Sequence, residues 1–497
     1  MPSPWWPFAL ASLLVAALVA FDPLLSALLP HGLWQRLHLL ELDYKLSWIA
    51  PLLMASITWL LLQVRKAPDA RSLWIVLLLI ALQTNGIKLG PGLDLITFLP
   101  FLIALGLLAE AMLRPDSPMQ LSGLTFFGLL LLLLDLPHLA NPLVHSPVTF
   151  LANFVSVFRA LLVAFVLVNL IQTERHLTFT LQAFFVVAMA SALVSVGQTA
   201  QAYFTGNSWT LVAEELETKP TFLGTTKRSS GLTAWPSWLA DFLVMALPFT
   251  LFRLVNASTT RARAGHVLAV LLLLAGVVGT FTYASYAAFA VILLLFPVYG
   301  WPHRALHFLI GAMFFGALFY AFGGFDWAWH LFHKLVLQSA GIVERDVYLK
   351  AAIEELSRDP WWGSGFHAEQ SFSENFYRKR VHNTGLQLWT NLGLAGFLVY
   401  LAMLGTLFTQ LWLLAMSRSG PIRQHLQALA LGLTGIVVEM FAEPHMSAPL
   451  VWFYLALAQS AILIANRQAR GRPALPPPPA PTHPMATLSP AKQQHDA

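Results

Sequence analysis

The sequence predicts an all-α protein that crosses a membrane many times, and three observations predict it. The 497 residues are 57% hydrophobic and only 11% charged, an apolar excess and a charge deficit that ordinary soluble domains lack. Apolar runs such as FALASLLVAALVAF, FFGLLLLLLDL and AAFAVILLLF recur along nearly the whole chain, and a helical span needs only about 20 mostly apolar residues. These runs are continuous, whereas a membrane barrel shows short alternating strands, so helices are the expected spanning element.

Taken in order, the runs place spans at residues 5–29, 47–64, 72–87, 93–113, 121–139, 148–172, 177–204, 234–256, 266–283, 285–300, 305–323, 384–415, 425–442 and 449–465. That amounts to about 12–14 transmembrane helices. The stretch from Gly265 to Phe296 reads as either one broken helix or two short ones. The start, MPSPWWPFAL, lacks the basic region of a cleavable signal, so the first run reads as a retained span. Arg65, Lys66 and Arg71, then Arg114, Arg175, Arg253 with Arg261 and Arg263, Arg304, and Arg418 with Arg423 fall on alternate connections, and the tail arginines join them. The positive-inside rule then puts both termini in the cytoplasm.

That topology leaves two hydrophilic segments outside, residues 206–231 and a large extracytoplasmic loop at 324–383. Within the loop, Ile342, Leu349, Ile353 and Leu356 fall on one helical face, the pattern of a helix lying on the outer membrane surface. The transmembrane domain spans 1–465, and 466–497 is expected to be a disordered, Pro-rich cytoplasmic tail.

Composition also excludes classes of chemistry. No cysteine is present, so disulfides and thiolate metal sites do not arise. There is no Walker loop, dinucleotide fingerprint, HExxH or GxSxG, so chemistry driven by nucleotide hydrolysis in this chain is not expected.

Polar groups in so apolar a chain require a use. In TTKRSSGLTAWPSWLAD, Lys227 and Arg228 precede a helix opening at Pro236 and carrying Asp241. A guanidinium beside unpaired helix N–H groups suits phosphate oxygens, although a basic pair at the headgroup level serves equally as a plain membrane flank. Arg345 stands at the edge of the apolar stripe in the loop helix, as an anion contact or as the partner of a carboxylate. Gly363 and Gly365 permit a tight turn after Trp361 and Trp362. In RVHNTGLQLWTNLGLAG, His382 stands at the outer mouth of a span, where it can titrate as a base or merely pack, with Asn383 beside it. Gly393 and Gly396 on that span would let another helix approach. Arg159 lies mid-span and must face the bundle or a wet cavity, with Asp241 one possible partner. Glu443, in EMFAEPHM, is a weaker signal near an outer helix end.

Together these pieces resemble the O-antigen ligase and Wzy-type polymerase superfamily of bacterial membrane glycosyltransferases, over about residues 225–415. The order carries the likeness: Arg228, Gly231, Pro236 and MALP, then TYASYAA, Arg345, DPWWGSG and the His382–Asn383 helix entry. Ser237, Tyr286 and Asn391 depart from the residues usual at those positions.

The resemblance implies a GT-C-like fold that uses no cofactor and no metal. It implies transfer of a glycan from an undecaprenyl-diphosphate carrier to an acceptor hydroxyl on the outer side of the bacterial inner membrane. The implied partners are that donor, a lipid-anchored or protein glycan acceptor and membrane lipids, with no nucleic acid. In that scheme His382 is the base and Arg228, Arg345, Lys227 and Arg159 hold the diphosphate. Asn383, Gly363, Gly365 and Asp241 support them. Ligase, Wzy-type polymerase and protein O-glycan ligase all share the pattern, and a flippase for lipid-linked oligosaccharides is the rival from another class.

Overall fold

A computed structural model describes residues 70–83, 88–90, 93–113, 119–140, 147–205, 218–221, 224–233, 235–300, 360–365 and 382–471, with scattered positions between 310 and 357. The predicted spans at 5–29 and 47–64, most of 305–323, Arg345 and residues 472–497 of the tail lie outside these residues; the first tail residues, expected to be disordered from 466, continue the last helix to Arg470.

Among the described residues the chain is an all-α polytopic membrane protein. Its helices are α1 (Ala70–Gln83), α2 (Leu95–Leu113), α3 (Gly123–Asp135), α4 (Pro147–Leu170), α5 (Glu174–Thr205), α6 (Pro236–Val255), α7 (Thr260–Thr280), α8 (Tyr283–Gly300), α9 (Thr384–Ser417), α10 (Pro421–Met440) and α11 (Pro449–Arg470). Six of them, α5, α6, α7, α8, α9 and α11, are long and apolar enough to cross a membrane. Two small antiparallel hairpins interrupt the helices: β1 (Lys88–Gly90) with β2 (Leu93–Asp94), and β3 (Thr218–Thr221) with β4 (Gly224–Lys227).

The helix starts follow from local chemistry. Ser122, Thr259 and Asn383 each accept a hydrogen bond from a backbone N–H in the first turn of α3, α7 and α9. Pro236, Pro421 and Pro449 open α6, α10 and α11, where a missing N–H costs nothing. The ambiguous stretch after Gly265 resolves as two helices. Phe281 adopts φ 49°, the left-handed cap that ends α7 before α8 begins.

Two helices form the centre. In α6 every residue from Leu239 to Phe252 is buried, and α11 buries Trp452, Phe453 and Tyr454 almost completely. The Phe184 ring of α5 meets Phe242 at 4.4 Å and Phe453 at 5.8 Å, joining α5, α6 and α11. Outward positions stay apolar instead of turning polar: Phe101 and Leu105 on α2, Phe126 and Leu133 on α3, Leu268 and Leu271 on α7, Leu398 and Leu413 on α9. A surface of this kind needs hydrocarbon as its solvent.

The helix ends sort by charge. Arg253, Arg263, Arg418, Arg423, Arg467 and Arg470 all fall at one end of the bundle, in the last turn of α6, the first of α7, the C-cap of α9, the first turn of α10 and the last turn of α11. The opposite ends of those helices carry the residues described next.

Candidate functional site

The site is built where α6, α8, α9 and α11 begin and where α7 and α10 end. Asn383 folds the entry to α9. Its Oδ1 accepts from the Leu386 N–H at 2.8 Å, and its Nδ2 donates to the Phe441 carbonyl at 3.1 Å. One amide thus caps α9 and ties it to the end of α10. The Thr384 hydroxyl continues the tie, donating to the Glu443 carbonyl at 2.7 Å and accepting from the His445 N–H at 2.9 Å. These contacts fix the 441–448 connection against the mouth of α9.

In consequence the Glu443 carboxylate lies 3.4 Å (Oε2) from His382 Nδ1. The imidazole is partly exposed, at 28% of its side-chain surface, and the carboxylate is more enclosed. The contact is one of charge, without a hydrogen bond at Nδ1, and it sets a negative group beside the ring.

Behind this pair is a buried cluster. Asp241 of α6, Glu439 of α10 and His445 of the 441–448 connection present ligand atoms that all lie within 4.8 Å of one another. His445 Nδ1 is 3.6 Å from Asp241 Oδ2. The buried Ser285 hydroxyl of α8 faces the Glu439 carboxyl. Burial pushes the His445 imidazole down to about 4, against an upward pull from Glu443, so the ring is neutral at neutral pH.

Arg228 is held at the same end. Its Nε donates to the Thr280 carbonyl at 2.8 Å and a terminal nitrogen donates to Thr282 Oγ1 at 2.9 Å, so the guanidinium spans the α7–α8 break. Ser285, which faces the cluster, follows one turn later on α8. The backbone after Arg228 is clamped by Gln198 of α5, whose Oε1 accepts from the N–H groups of Ser230 and Gly231 at 3.0 and 2.8 Å. Ser229 N–H donates to the Gly279 carbonyl at 2.9 Å, and its hydroxyl meets Ser195 Oγ at 2.6 Å. Lys227 ends strand β4, opposite Thr218. Tyr286 spends its hydroxyl on the Val278 carbonyl at 2.6 Å, a structural bond within the same break.

The glycine-rich turn and the glycines of α9 turn out to be one device. The helix breaks at Gly393, where φ is 66° and ψ is −172°. The turn at 360–365 docks into that break. Ser364 N–H donates to the Thr390 carbonyl at 2.9 Å, Gly365 N–H to the Asn391 carbonyl at 2.7 Å, and Leu394 N–H to the Pro360 carbonyl at 3.1 Å. Trp389 Nε1 adds a bond to the Pro360 carbonyl at 2.9 Å. A side chain on Gly363 would come within 2.5 Å of Gly393 N, and one on Gly393 would run into the Trp361 carbonyl. Gly393 therefore does not serve helix–helix packing as the regular-helix pattern suggests. It admits a loop, because the loop's N–H groups and carbonyls replace the bonds the broken helix gives up. Gly393 follows Thr384 by nine residues, so the turn reaches about 13 Å along α9.

Beside the turn lies a cavity of about 840 Å³, lined among others by Leu134, His138, Trp361, Trp362, Leu392 and Leu398. His138 Nε2 lies 3.0 Å from the Trp362 carbonyl, which joins α3's end to the turn.

Of the sequence-predicted residues, His382, Asn383, Arg228 and Asp241 gather at one end of the bundle. Gly363 and Gly365, at φ 70° and 86°, form the docked turn. Arg159 lies on α4, which packs on α1, α2, α3 and α11, and a terminal nitrogen reaches Ser156 Oγ at 3.4 Å. Asp241 faces His445 and Glu439, not Arg159. Thr384, Glu439 and His445 were not singled out by the sequence. The one signal was EMFAEPHM, two carboxylates and a histidine at a helix end.

Residues 268–401 fit the family model described as O-antigen ligase, which supports the likeness to the O-antigen ligase and Wzy-type superfamily. The matched span includes His382, Asn383 and the Gly393 break. Arg228 and Glu443 lie on either side of it. No curated protein matches the chain.

Proposed function

We propose that this chain, which carries an O-antigen ligase domain at residues 268–401, transfers a glycan from an undecaprenyl-diphosphate carrier to an acceptor hydroxyl outside the bacterial inner membrane. At the family level the activity is ligase-like glycan transfer or polymerisation in polysaccharide biosynthesis. The observation that carries the finer reading is the His382–Glu443 pair at 3.4 Å, at the bundle end that also holds Arg228.

In the step, His382 takes the proton of the acceptor hydroxyl as its oxygen attacks the anomeric carbon. The bond from that carbon to the diphosphate oxygen breaks, and undecaprenyl diphosphate leaves with the electron pair. Glu443 offsets the positive charge that grows on the imidazole. Arg228 faces the negative charge that grows on the diphosphate, a role in which preorganised donors contribute most to the rate. Arg345 and Lys227 are further candidates for the diphosphate, and Arg159 is assigned there only on sequence grounds. The apolar cavity beside Trp361 and Trp362 suits a polyprenyl chain. The arginine-rich ends of the helices lie opposite to the site, which by the positive-inside rule supports an extracytoplasmic site.

The test is in vitro transfer from an undecaprenyl-diphosphate-linked glycan to lipid-anchored, lipid-linked and protein acceptors, with the product identified by mass. The parent protein is expected to form product with one acceptor class, and His382→Ala to remain folded in the membrane without transferring. Unimpaired transfer by His382→Ala would remove His382 as the base. Donor translocation in liposomes with no product would replace the transferase reading by transport.

A further inference from the structure

The cluster behind His382 has a composition that the transfer step does not use. Asp241, Glu439 and Glu443 are electrostatic neighbours, all acidic. Among the described residues, neither Asp241 nor Glu439 is paired with an arginine or lysine. Both residues are at most 1% exposed, where an uncompensated charge is very costly.

The histidine supplies an independent observation. His445 has 4% of its side chain exposed, its buried Nε2 has no hydrogen-bond partner, and it turns Nδ1 toward Asp241 Oδ2 at 3.6 Å. A buried imidazole seeking only a partner would close to about 2.9 Å. Ligand atoms spaced around a tetrahedral metal at about 2.0–2.1 Å from the ion stand roughly 3.3 Å apart; the His445–Asp241 pair is at 3.6 Å and all three ligand atoms lie within 4.8 Å of one another.

We propose that Asp241, Glu439 and His445 bind one divalent transition-metal cation. Two carboxyl groups and one imidazole bring ligand atoms from three elements within 4.8 Å of one another, and their mixed nitrogen and oxygen donors suit zinc or manganese. The Ser285 hydroxyl stands close enough to Glu439 to orient it or to add an oxygen donor. Three elements meet at the ion: α6 through Asp241, α10 through Glu439, and the 441–448 connection through His445. The cation ties the connection in place behind His382 and takes no part in proton or glycan transfer. This inference stands whether or not the transferase reading holds.

The experiment uses the full chain, purified through a tag free of histidine and reconstituted in lipid nanodiscs. Metal content is measured by mass spectrometry before and after dialysis against zinc or manganese, and melting is followed with and without a chelator. About one tightly held ion per chain is expected, with a melting temperature that falls on chelation. Glu439→Gln and His445→Gln should lose the ion and the chelator response together. A parent protein that takes up neither metal and melts identically with chelator would overturn the site, leaving protons shared between the carboxyls. Equal metal in parent and variants would also overturn it, as surface binding. Should the variants fail to fold, the metal content and chelator response of the parent decide alone.

Discussion

Replacing Gly393 by Ala tests the loop-into-helix dock most directly. The residue occupies φ 66° and ψ −172°, a region essentially closed to side-chain-bearing residues, at a cost of about 1–3 kcal/mol. An added Cβ would also run into the Trp361 carbonyl, which is backbone and cannot swing aside. The chain's cheaper response is to undock the 360–365 turn. That forfeits the Ser364, Gly365 and Leu394 N–H bonds, each worth about 1 kcal/mol net, and the Trp389 bond. Straightening of α9 returns part of this, so the net loss is about 2–4 kcal/mol. Thermal unfolding in nanodiscs should show a melting temperature lower by a few degrees, with new proteolytic sensitivity near Trp361 and reduced glycan transfer. Gly405→Ala, on the same helix with open space around it, is the control and should be neutral or slightly stabilising. A Gly393→Ala protein that melts and resists proteolysis like the parent would refute the dock as a stabilising element.

Other perturbations probe the site itself. Glu443→Gln keeps the shape beside His382 but removes the charge, so kcat should fall about 10–100-fold with little change in donor KM; equal loss in both would point to a binding role. Thr384→Val removes the hydroxyl that bridges the Glu443 carbonyl and the His445 N–H. It should cost about 1–3 kcal/mol in unfolding measurements, whereas Thr384→Ser should retain most of the stability. Gln198→Ala orphans the buried N–H groups of Ser230 and Gly231, at about 1–3 kcal/mol each. It should also raise donor KM by loosening the backbone behind Arg228, and an unchanged KM would separate that clamp from donor binding.

Much of the scaffold was legible because a span is a local property. Hydropathy located α1 through α11 with ends off by up to six residues, since an apolar helix satisfies its own backbone wherever it sits. The helix start at Pro236 was equally local, since its missing N–H falls in the first turn; the Asn383 and Thr259 caps came from the structure. The break between α7 and α8 was visible only as an ambiguity, because the left-handed Phe281 cap is set by the packing of both helices.

By itself, then, the sequence determined a polytopic helical membrane protein, which helix ends carry the arginines, and His382 and Arg228 as candidate chemistry. Tertiary structure alone decided that Glu443 meets His382, that Asp241 turns to Glu439 and His445 and not to Arg159, and that Gly363 and Gly393 interlock. The physical reason is one of range. Burial and capping are read within a turn or two, whereas these pairings depend on how α6, α9, α10 and the connection after Met440 pack against one another, which no local pattern encodes.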